Sequence, residues 1–324
     1  MFGQPLNTGP PAEQWPDIPN YLAEPTLAEG PKLDRELPLL DIEWPEPPSV
    51  SRTGVTRSRY DTGAKPPRYD VELIEQLNKE YAERPIQTSA PTYAAADLAS
   101  QAKGRLGWVH GMIGLTGKRV LEIGCGNGYE TWYAGRALGA DAWGVDVQEH
   151  APWFTLNQAS NVHLLCADLA VDQPFEENYF DRIMSFTVWE HVTHPYAMLR
   201  EAHRVLKPGG LFWLRANLYA GTKASHRYRD IHFPWPHLLF TDDVINSWYR
   251  SHGLPEVGLA WVNRLSWLHY RSYFSRLGFR LRSVKFDRST FDAEFFERFE
   301  DMLGRFPKWD LNTEYFLVVL QKPI

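Results

Sequence analysis

The sequence is poor in cysteine, has no long apolar run and carries no excess of positive charge. Cys125 and Cys166 are its only cysteines, too few for a disulfide framework, and this usage favours a reducing, cytoplasmic environment. No segment approaches the roughly 18 consecutive apolar residues of a membrane-spanning helix, and the N-terminus lacks the basic and apolar regions of a secretory signal. The formal net charge is −6, whereas a broad nucleic-acid-binding surface is normally basic. We therefore expect a cytoplasmic protein with neither a membrane span nor a nucleic-acid partner.

The composition predicts one large domain with an N-terminal appendage. Of the 324 residues, 44% are hydrophobic and 14% aromatic, enough for a sizeable core. Residues 1–68 are rich in proline, which blocks regular structure, so they form either a disordered tail or an extended arm. Large apolar side chains are costly to leave in water and favour an arm that lies against the domain. They are Trp15, Tyr21, Leu37, Leu39, Leu40, Ile42 and Trp44.

Residues 69–117 predict a helical cap in front of the main domain. In the segment VELIEQLNKEY, apolar residues from Val71 to Tyr81 recur at helical spacing, which is typical of an amphipathic helix. The segment AADLASQAKGRLGWVHGMI predicts a second helix, loosened by its glycines.

From residue 118 onward, short apolar segments alternate with helical patterns. Seven strands are predicted at RVLEIG, AWGVDV, VHLLCAD, FDRIMSF, LFWLRAN, RLRSVKF and EYFLVVLQK. Such alternation is typical of a doubly wound, mostly parallel α/β sheet with helices on both faces. It stops at about residues 218–275, where an aromatic, histidine-rich and proline-broken segment predicts a substrate lid within a domain that spans 118–324.

The segment VLEIGCGNGYE places an acid and three glycines around the end of the first of these strands. Glu122 precedes Gly124, Gly126 and Gly128, and open α/β sheets bind ligands beyond the carboxyl ends of their strands. Glycine permits positive φ and lets a ligand approach the backbone. The third glycine comes one residue too early for the G-x-G-x-x-G dinucleotide fingerprint, which disfavours a nicotinamide oxidoreductase. The charge of Glu122 favours a cationic amine over a pyrophosphate.

Two aspartates end the next two predicted strands. Asp146 lies 22 positions after Gly124, where an acid can accept hydrogen bonds from both hydroxyls of a ribose. Asp168 ends the third strand and is positioned to accept a hydrogen bond from the exocyclic amine of a base. Either aspartate alone is better explained as a helix N-cap. Both together, following the glycine loop, indicate a nucleoside-containing ligand.

These motifs, in this order, resemble those of the class I S-adenosylmethionine-dependent methyltransferases that act on small molecules. The acid-x-Gly-x-Gly-x-Gly motif and the two strand-end acids match, as does FDRIMSFTVWEHVTHPYAMLREAHRVLKPGGLFWLRAN, which is similar to the fourth-to-fifth-strand region of the family. The resemblance covers residues 118–217 closely and the last two strands loosely. It implies a Rossmann-like fold and S-adenosyl-L-methionine as cofactor.

The resemblance also implies which residues hold that cofactor. Glu122 and the glycine loop would hold the methionine portion, and Asp146 would hold the ribose. Val147 would pack on the adenine, Asp168 would meet the adenine amine with Leu169 beside it, and Phe186 would flank the cofactor after the fourth strand.

Candidates for catalysis lie after the fourth strand and in the lid. His191 follows the fourth strand and is equally well explained as a structural hydrogen-bonding residue. In the lid, His226, Asp230, His232 and His237 fall within twelve residues of the sequence, and the last three are the candidate metal ligands. They form either an aromatic lid whose histidines bond the backbone, a metal-ligand set, or, as we prefer, a general base. Their spacing is not diagnostic of any metal.

We therefore expect an O-methyltransferase whose acceptor is a small molecule, with a saccharide or glycoside hydroxyl as the first hypothesis. The alternatives are N- or C-methylation of another metabolite, and a regulatory protein that binds S-adenosylmethionine without transferring its methyl group. A divalent metal such as Mg²⁺ and a homo-oligomeric state both remain open at this stage.

Overall fold

The computed structural model describes residues 69–86, 95–254 and 263–324. The proposed N-terminal arm, residues 1–68, lies outside the described residues. The helices are α1 (Val71–Glu80), α2 (Ala95–Ile113), α3 (Tyr129–Leu138), α4 (Trp153–Leu156), α5 (Pro195–Val205), α6 (Pro236–Leu239), α7 (Asp242–Ser251), α8 (Trp267–Arg276), α9 (Ala293–Arg298), α10 (Glu300–Leu303) and α11 (Lys308–Leu311). The strands are β1 (Arg119–Ile123), β2 (Asp141–Asp146), β3 (Val162–Cys166), β4 (Phe180–Phe186), β5 (Leu206–Asn217), β6 (Arg280–Arg288) and β7 (Thr313–Gln321).

The strands form one seven-stranded sheet in the order β3-β2-β1-β4-β5-β7-β6. Strands β1 to β5 pair in parallel, and β7 runs antiparallel to both β5 and β6. The strand order reverses at β1, so the loops after β1 and β4 meet at the switch point where open sheets bind ligands. The predicted fold class, a Rossmann-like, mostly parallel α/β sheet, is confirmed.

Helices cover both faces of this sheet because the buried strands are apolar on both sides. Side chains alternate between faces along a strand, and neighbouring strand residues accordingly belong to different hydrophobic clusters. Val120 packs in a cluster that contains residues of α2 and α3. Leu121 packs in a second cluster with residues of α5 and α8.

A further aromatic core joins the lid to elements at both ends of the chain. Ile74 and Leu77 of α1 pack there with Phe233 and Trp235 of the lid and with Phe295 of α9. Helix α8, at the end of the predicted lid, packs instead on the sheet. The lid is therefore held through its own core, close to the ends of β4 and β5.

Within the described ranges, no helix is both long and apolar enough to cross a membrane.

Candidate functional site

The glycine loop after β1 adopts the backbone conformation that its sequence predicts. The φ angles of Gly124, Gly126 and Gly128 are +73°, +48° and +81°, all in the left-handed region that favours glycine. A Cβ at Gly124 would clash with Val188 and one at Gly128 would clash with Leu164, whereas a Cβ at Gly126 would meet no atom within 4 Å. Gly124 and Gly128 are thus required for packing, whereas Gly126 has open space at its Cβ position.

Asp146 ties the glycine loop to the end of β2. Its Oδ2 accepts a hydrogen bond of 2.9 Å from the backbone N–H of Gly126, and the indole of Trp153 donates one of 2.8 Å to the carbonyl oxygen of the same residue. The next residue, Val147, exposes 64% of its surface, unusual for an apolar side chain beside a conformationally fixed loop. An acid at a strand end, an open loop and a bare aliphatic surface fit a ribose and an adenine ring.

Beneath the loop lies a pair of buried acids, Glu122 and Glu130. Thr131 Oγ1 donates a 2.5 Å hydrogen bond to Glu122 Oε2, and Arg105 of α2 forms a 2.6 Å ion pair with Glu130. Burial, and then the charge of Glu130, raise the pKa of Glu122 well above its ordinary value. A bound ammonium group would relieve this repulsion, so the pair fits the amino group of a methionine moiety.

The remaining predicted cofactor residues occupy different environments. Asp168 Oδ1 accepts a 2.9 Å hydrogen bond from the backbone N–H of Ala170. One oxygen of this carboxylate is therefore used in the turn that follows β3. Leu169 is buried in the main core. Phe186, at the end of β4, packs on Trp213 with ring centroids 4.8 Å apart.

The three lid residues expected to act in catalysis or to bind metal make contacts with different partners. Asp230 forms a 3.0 Å ion pair with Arg229 and accepts a 3.1 Å hydrogen bond from the Tyr249 hydroxyl. The backbone N–H of His232 donates to Asn78 of α1 at 2.7 Å. His237 donates from Nε2 to the carbonyl oxygen of Tyr219 at 2.7 Å.

Within the described residues, Asp230, His232 and His237 do not form a common ligand set; the one such group is Glu190, His191 and His226. The structure therefore corrects the prediction that these three lid residues form one metal-ligand set. The physical reason is that Asp230 pairs with Arg229 and Tyr249 and His237 bonds the Tyr219 carbonyl, while His232 is fixed through its backbone N–H. A catalytic role for His232 or His237 stays a prediction.

The burial of His237 predicts a pH-dependent stability. Desolvation, against the opposing effect of the Tyr219 carbonyl, lowers the pKa of His237 to about 3, below the ordinary value of about 6.5. Between these values the unfolded chain binds a proton that the folded chain excludes. Protonation of the unfolded chain therefore lowers the free energy of unfolding as the pH drops from about 6.5 towards 3. The loss is about 2 kcal/mol at pH 5 and vanishes above about pH 6.5.

Urea unfolding at pH 7.5 and pH 5.0 tests this expectation. His237→Gln keeps a donor for Tyr219 but cannot titrate, so its free energy of unfolding should fall by about 2 kcal/mol less than that of wild type between these pH values. His163→Gln, at a half-buried position on β3 far from Tyr219 in the sequence, should behave as wild type. Equal losses in wild type and His237→Gln would show that His237 does not carry this dependence.

Glu190, His191 and His226 form a polar cluster at the carboxyl end of β4. Glu190 and His191 lie in a short 3-10 turn, Trp189–His191, and His226 comes from the lid. The His191 and His226 rings meet edge to face with centroids 4.8 Å apart. His226 adopts a φ of +56°, a costly conformation for a non-glycine residue and one that clusters at functional sites.

Glu190 is only 1% exposed, and neither of its carboxylate oxygens has a hydrogen-bond partner in the described part of the chain. Burial raises the pKa of this group to about 7. The backbone N–H groups of Glu190 and Asn217, which approach the carboxylate without full hydrogen-bond geometry, and the charge of Arg215 offset part of that rise. The lid clamps the turn, because Asn263 donates 2.6 Å and 2.7 Å hydrogen bonds to the carbonyls of Trp189 and Glu190.

More buried polar atoms without partners surround Glu190. They include Arg215 Nε, Asn217 Oδ1, His226 Nε2 and Tyr270 Oη. The charge of Glu190 contributes to raised pKa values of Tyr270 and Tyr315, after burial as the main cause. Buried polar groups in native proteins nearly always have partners, so this concentration indicates the place of a polar ligand.

The sequence patterns indicated His191 and counted His226 among the lid histidines, but did not single out His226 and assigned no role to Glu190. Glu190 lies four positions after the end of β4, and His226 begins the histidine-rich part of the lid. His191 and His226 are 35 positions apart in the sequence. Their proximity depends on how the lid folds back, so it could not be seen from the sequence.

Comparison with known proteins agrees with this geometry. Residues 121–214 match the family model described as "Methyltransferase domain". A ubiquinone biosynthesis O-methyltransferase of Pseudomonas aeruginosa (strain UCBPP-PA14) is 36% identical over 119 residues, covering 34% of this chain and 49% of that protein. The chloroplastic tocopherol O-methyltransferase of Arabidopsis thaliana is 30% identical over 160 residues, covering 44% and 45% respectively.

A third relative is named for a different substrate. The tRNA U34 carboxymethyltransferase of Alteromonas mediterranea is 29% identical over 173 residues, covering 49% of this chain and 51% of that protein. The chain thus spans about half the length of the curated relatives it matches.

Proposed function

Because the chain carries a class I S-adenosylmethionine-dependent methyltransferase domain, we propose that the whole protein is an O-methyltransferase of a small polar acceptor. The observation that carries the proposal is the buried group of unpartnered polar atoms around Glu190, at the ends of β4 and β5. In this fold those ends flank the side of the sheet on which an acceptor meets the cofactor.

The residues that fit the cofactor assign its two ends to different parts of the site. The acids beneath the glycine loop would hold the amino acid end, while Asp146 and Val147 would hold the nucleoside end. When bound, S-adenosylmethionine supplies an electrophilic methyl group on a sulfonium, a good leaving group. The protein's own contribution is therefore to align the acceptor and to exclude water.

The pocket chemistry favours oxygen as the methyl acceptor. A hydroxyl loses its proton as its bond to the methyl carbon forms, whereas an amine presented in its neutral form needs no such help. Glu190, His191 and His226 concentrate groups able to accept that proton or to stabilise the oxygen anion. Arg215 Nε and Tyr270 Oη can donate to further polar groups of the acceptor.

A ring-shaped acceptor suits the surroundings of these polar atoms. Tyr315 pairs with Asn217 across β5 and β7, and its ring centroid lies 3.8 Å from the guanidinium carbon of Arg215, so it places an aromatic face beside the unpartnered polar atoms. Tyr270 adds a buried hydroxyl without a hydrogen-bond partner in the described part of the chain. Aromatic faces combined with a few polar groups are typical of small-molecule pockets. A saccharide or glycoside hydroxyl is the acceptor we test first, and a phenol is the second because two relatives are named for ubiquinone and tocopherol pathways.

Two measurements test the proposal. A ligand that binds only the native state raises the unfolding midpoint, so S-adenosylhomocysteine should raise it and NAD should not. Methyl transfer from labelled S-adenosylmethionine should then appear with glycosides or phenols, and not with matched amines or with tRNA. Binding without transfer to any acceptor class would favour the regulatory alternative, and labelling of tRNA alone would overturn the small-molecule assignment.

A further inference from the structure

We infer that Glu190, His191 and His226 form a binding site for one divalent transition-metal ion of the Zn²⁺ type. One ligand atom from each side chain lies within 4.8 Å of the corresponding atoms of the other two. That spacing allows small side-chain rotations to bring all three donors onto one ion at the usual distances of about 2.0–2.2 Å.

The electrostatics of Glu190 support a bound cation. A carboxylate buried without a hydrogen bond is costly unless a positive charge compensates it. The two arginines near the cluster are already engaged, since Arg215 pairs with Asp287 at 3.2 Å and Arg227 pairs with Asp242 at 3.0 Å. The charge of Arg215 favours the ionised form of Glu190, but within the described residues neither arginine forms a hydrogen bond with this carboxylate. A metal ion would therefore meet an unsatisfied acceptor.

The donor set decides the class of metal. Two imidazoles with one carboxylate suit Zn²⁺, Fe²⁺ or Co²⁺, whereas Mg²⁺ prefers oxygen ligands alone. Three protein ligands leave further coordination positions for solvent or substrate, as in catalytic zinc sites. The unpartnered Nε2 of His226 is buried and is held by a strained backbone, which fixes its ring beside that of His191.

The position of the site suggests its use. It lies among the unpartnered polar atoms around Glu190 that we assign to the acceptor. An acceptor hydroxyl could therefore complete the coordination, and a metal ion lowers the pKa of a bound hydroxyl. This use rests on the proposed O-methyltransferase function, whereas metal binding itself can be measured without any acceptor.

Isothermal titration of the full chain, prepared without a histidine tag, with Zn²⁺ alone tests the site. One equivalent should bind, and Co²⁺ in its place should give the visible absorption of a ligand set that contains nitrogen. His226→Ala and Glu190→Gln should each weaken Zn²⁺ binding tenfold or more, because loss of even an outer-shell partner costs about 10–100-fold. His163→Gln removes a histidine outside the cluster and should bind as wild type.

Several outcomes would overturn the site. They are no binding of Zn²⁺ or Co²⁺ by wild type, unchanged binding in His226→Ala, or a loss of binding confined to His232→Ala. An unchanged midpoint shift with S-adenosylhomocysteine in every variant shows that the fold is intact. If Zn²⁺ binds as expected and no hydroxyl compound is methylated, the metal site stands and the proposed function fails.

Discussion

Asp146→Ala should weaken the binding of S-adenosylhomocysteine by about 2–4 kcal/mol, which corresponds to roughly 30- to 800-fold in Kd. A carboxylate at the end of β2 can accept hydrogen bonds from both ribose hydroxyls, and bonds to a charged group are the stronger kind. The substitution also removes the hydrogen bond that the Gly126 N–H donates to Asp146, which loosens the glycine loop. Calorimetric titration measures the change in Kd.

The same strand provides a matched control for this experiment. Asp141 begins β2 and forms a 2.9 Å ion pair with Arg119, at the opposite end of the sheet from the glycine loop. Asp141→Ala should leave Kd unchanged. Asp146→Asn keeps an acceptor for Gly126 but loses the charge, so its Kd should lie between those of wild type and Asp146→Ala. Unchanged affinity in Asp146→Ala would remove this residue from the cofactor site.

The parts of the fold that follow from local chemistry could be predicted from the sequence. The helix expected over AADLASQAKGRLGWVHGMI is α2, Ala95–Ile113. The glycine loop and the acid that ends β2 also lie where the sequence puts them, because a strand, a positive-φ turn and a helix start are set within a few residues. The short helices α6, α10 and α11 were not anticipated, since four residues show no helical period.

The cluster of Glu190, His191 and His226 could not be predicted in the same way. His226 reaches His191 only because the lid packs into an aromatic core with α1 and α9, and no sequence spacing records that contact. The same packing explains why the lid histidines misled sequence reasoning as a ligand set. His237 lies at the end of the segment with the highest histidine density, yet its ring packs edge-on against Tyr219 with centroids 5.3 Å apart and donates to the Tyr219 carbonyl, where it contributes to packing.

The second large effect is expected in turnover. Glu190→Gln retains the size of the side chain but removes its charge and its ability to accept a proton or bind a metal ion. The kcat for methyl transfer should fall about a hundredfold or more, the usual contribution of a group that assists proton removal. The Kd for S-adenosylhomocysteine should stay within a few-fold of wild type, since the cofactor is held from the loops after β1 and β2.

Glu201 is the matched control for this change in charge. It is also a buried glutamate, but it pairs with Arg204 on α5 at 2.6 Å, away from the acceptor pocket. Glu201→Gln should lower the free energy of unfolding and leave kcat unchanged, which separates catalysis from the cost of altering a buried acid. Near-normal kcat in Glu190→Gln, together with a large loss in His232→Ala or His237→Ala, would transfer the chemistry to the lid histidines. In that case the unpartnered oxygens of Glu190 would serve to bind the acceptor, and the change should appear in KM.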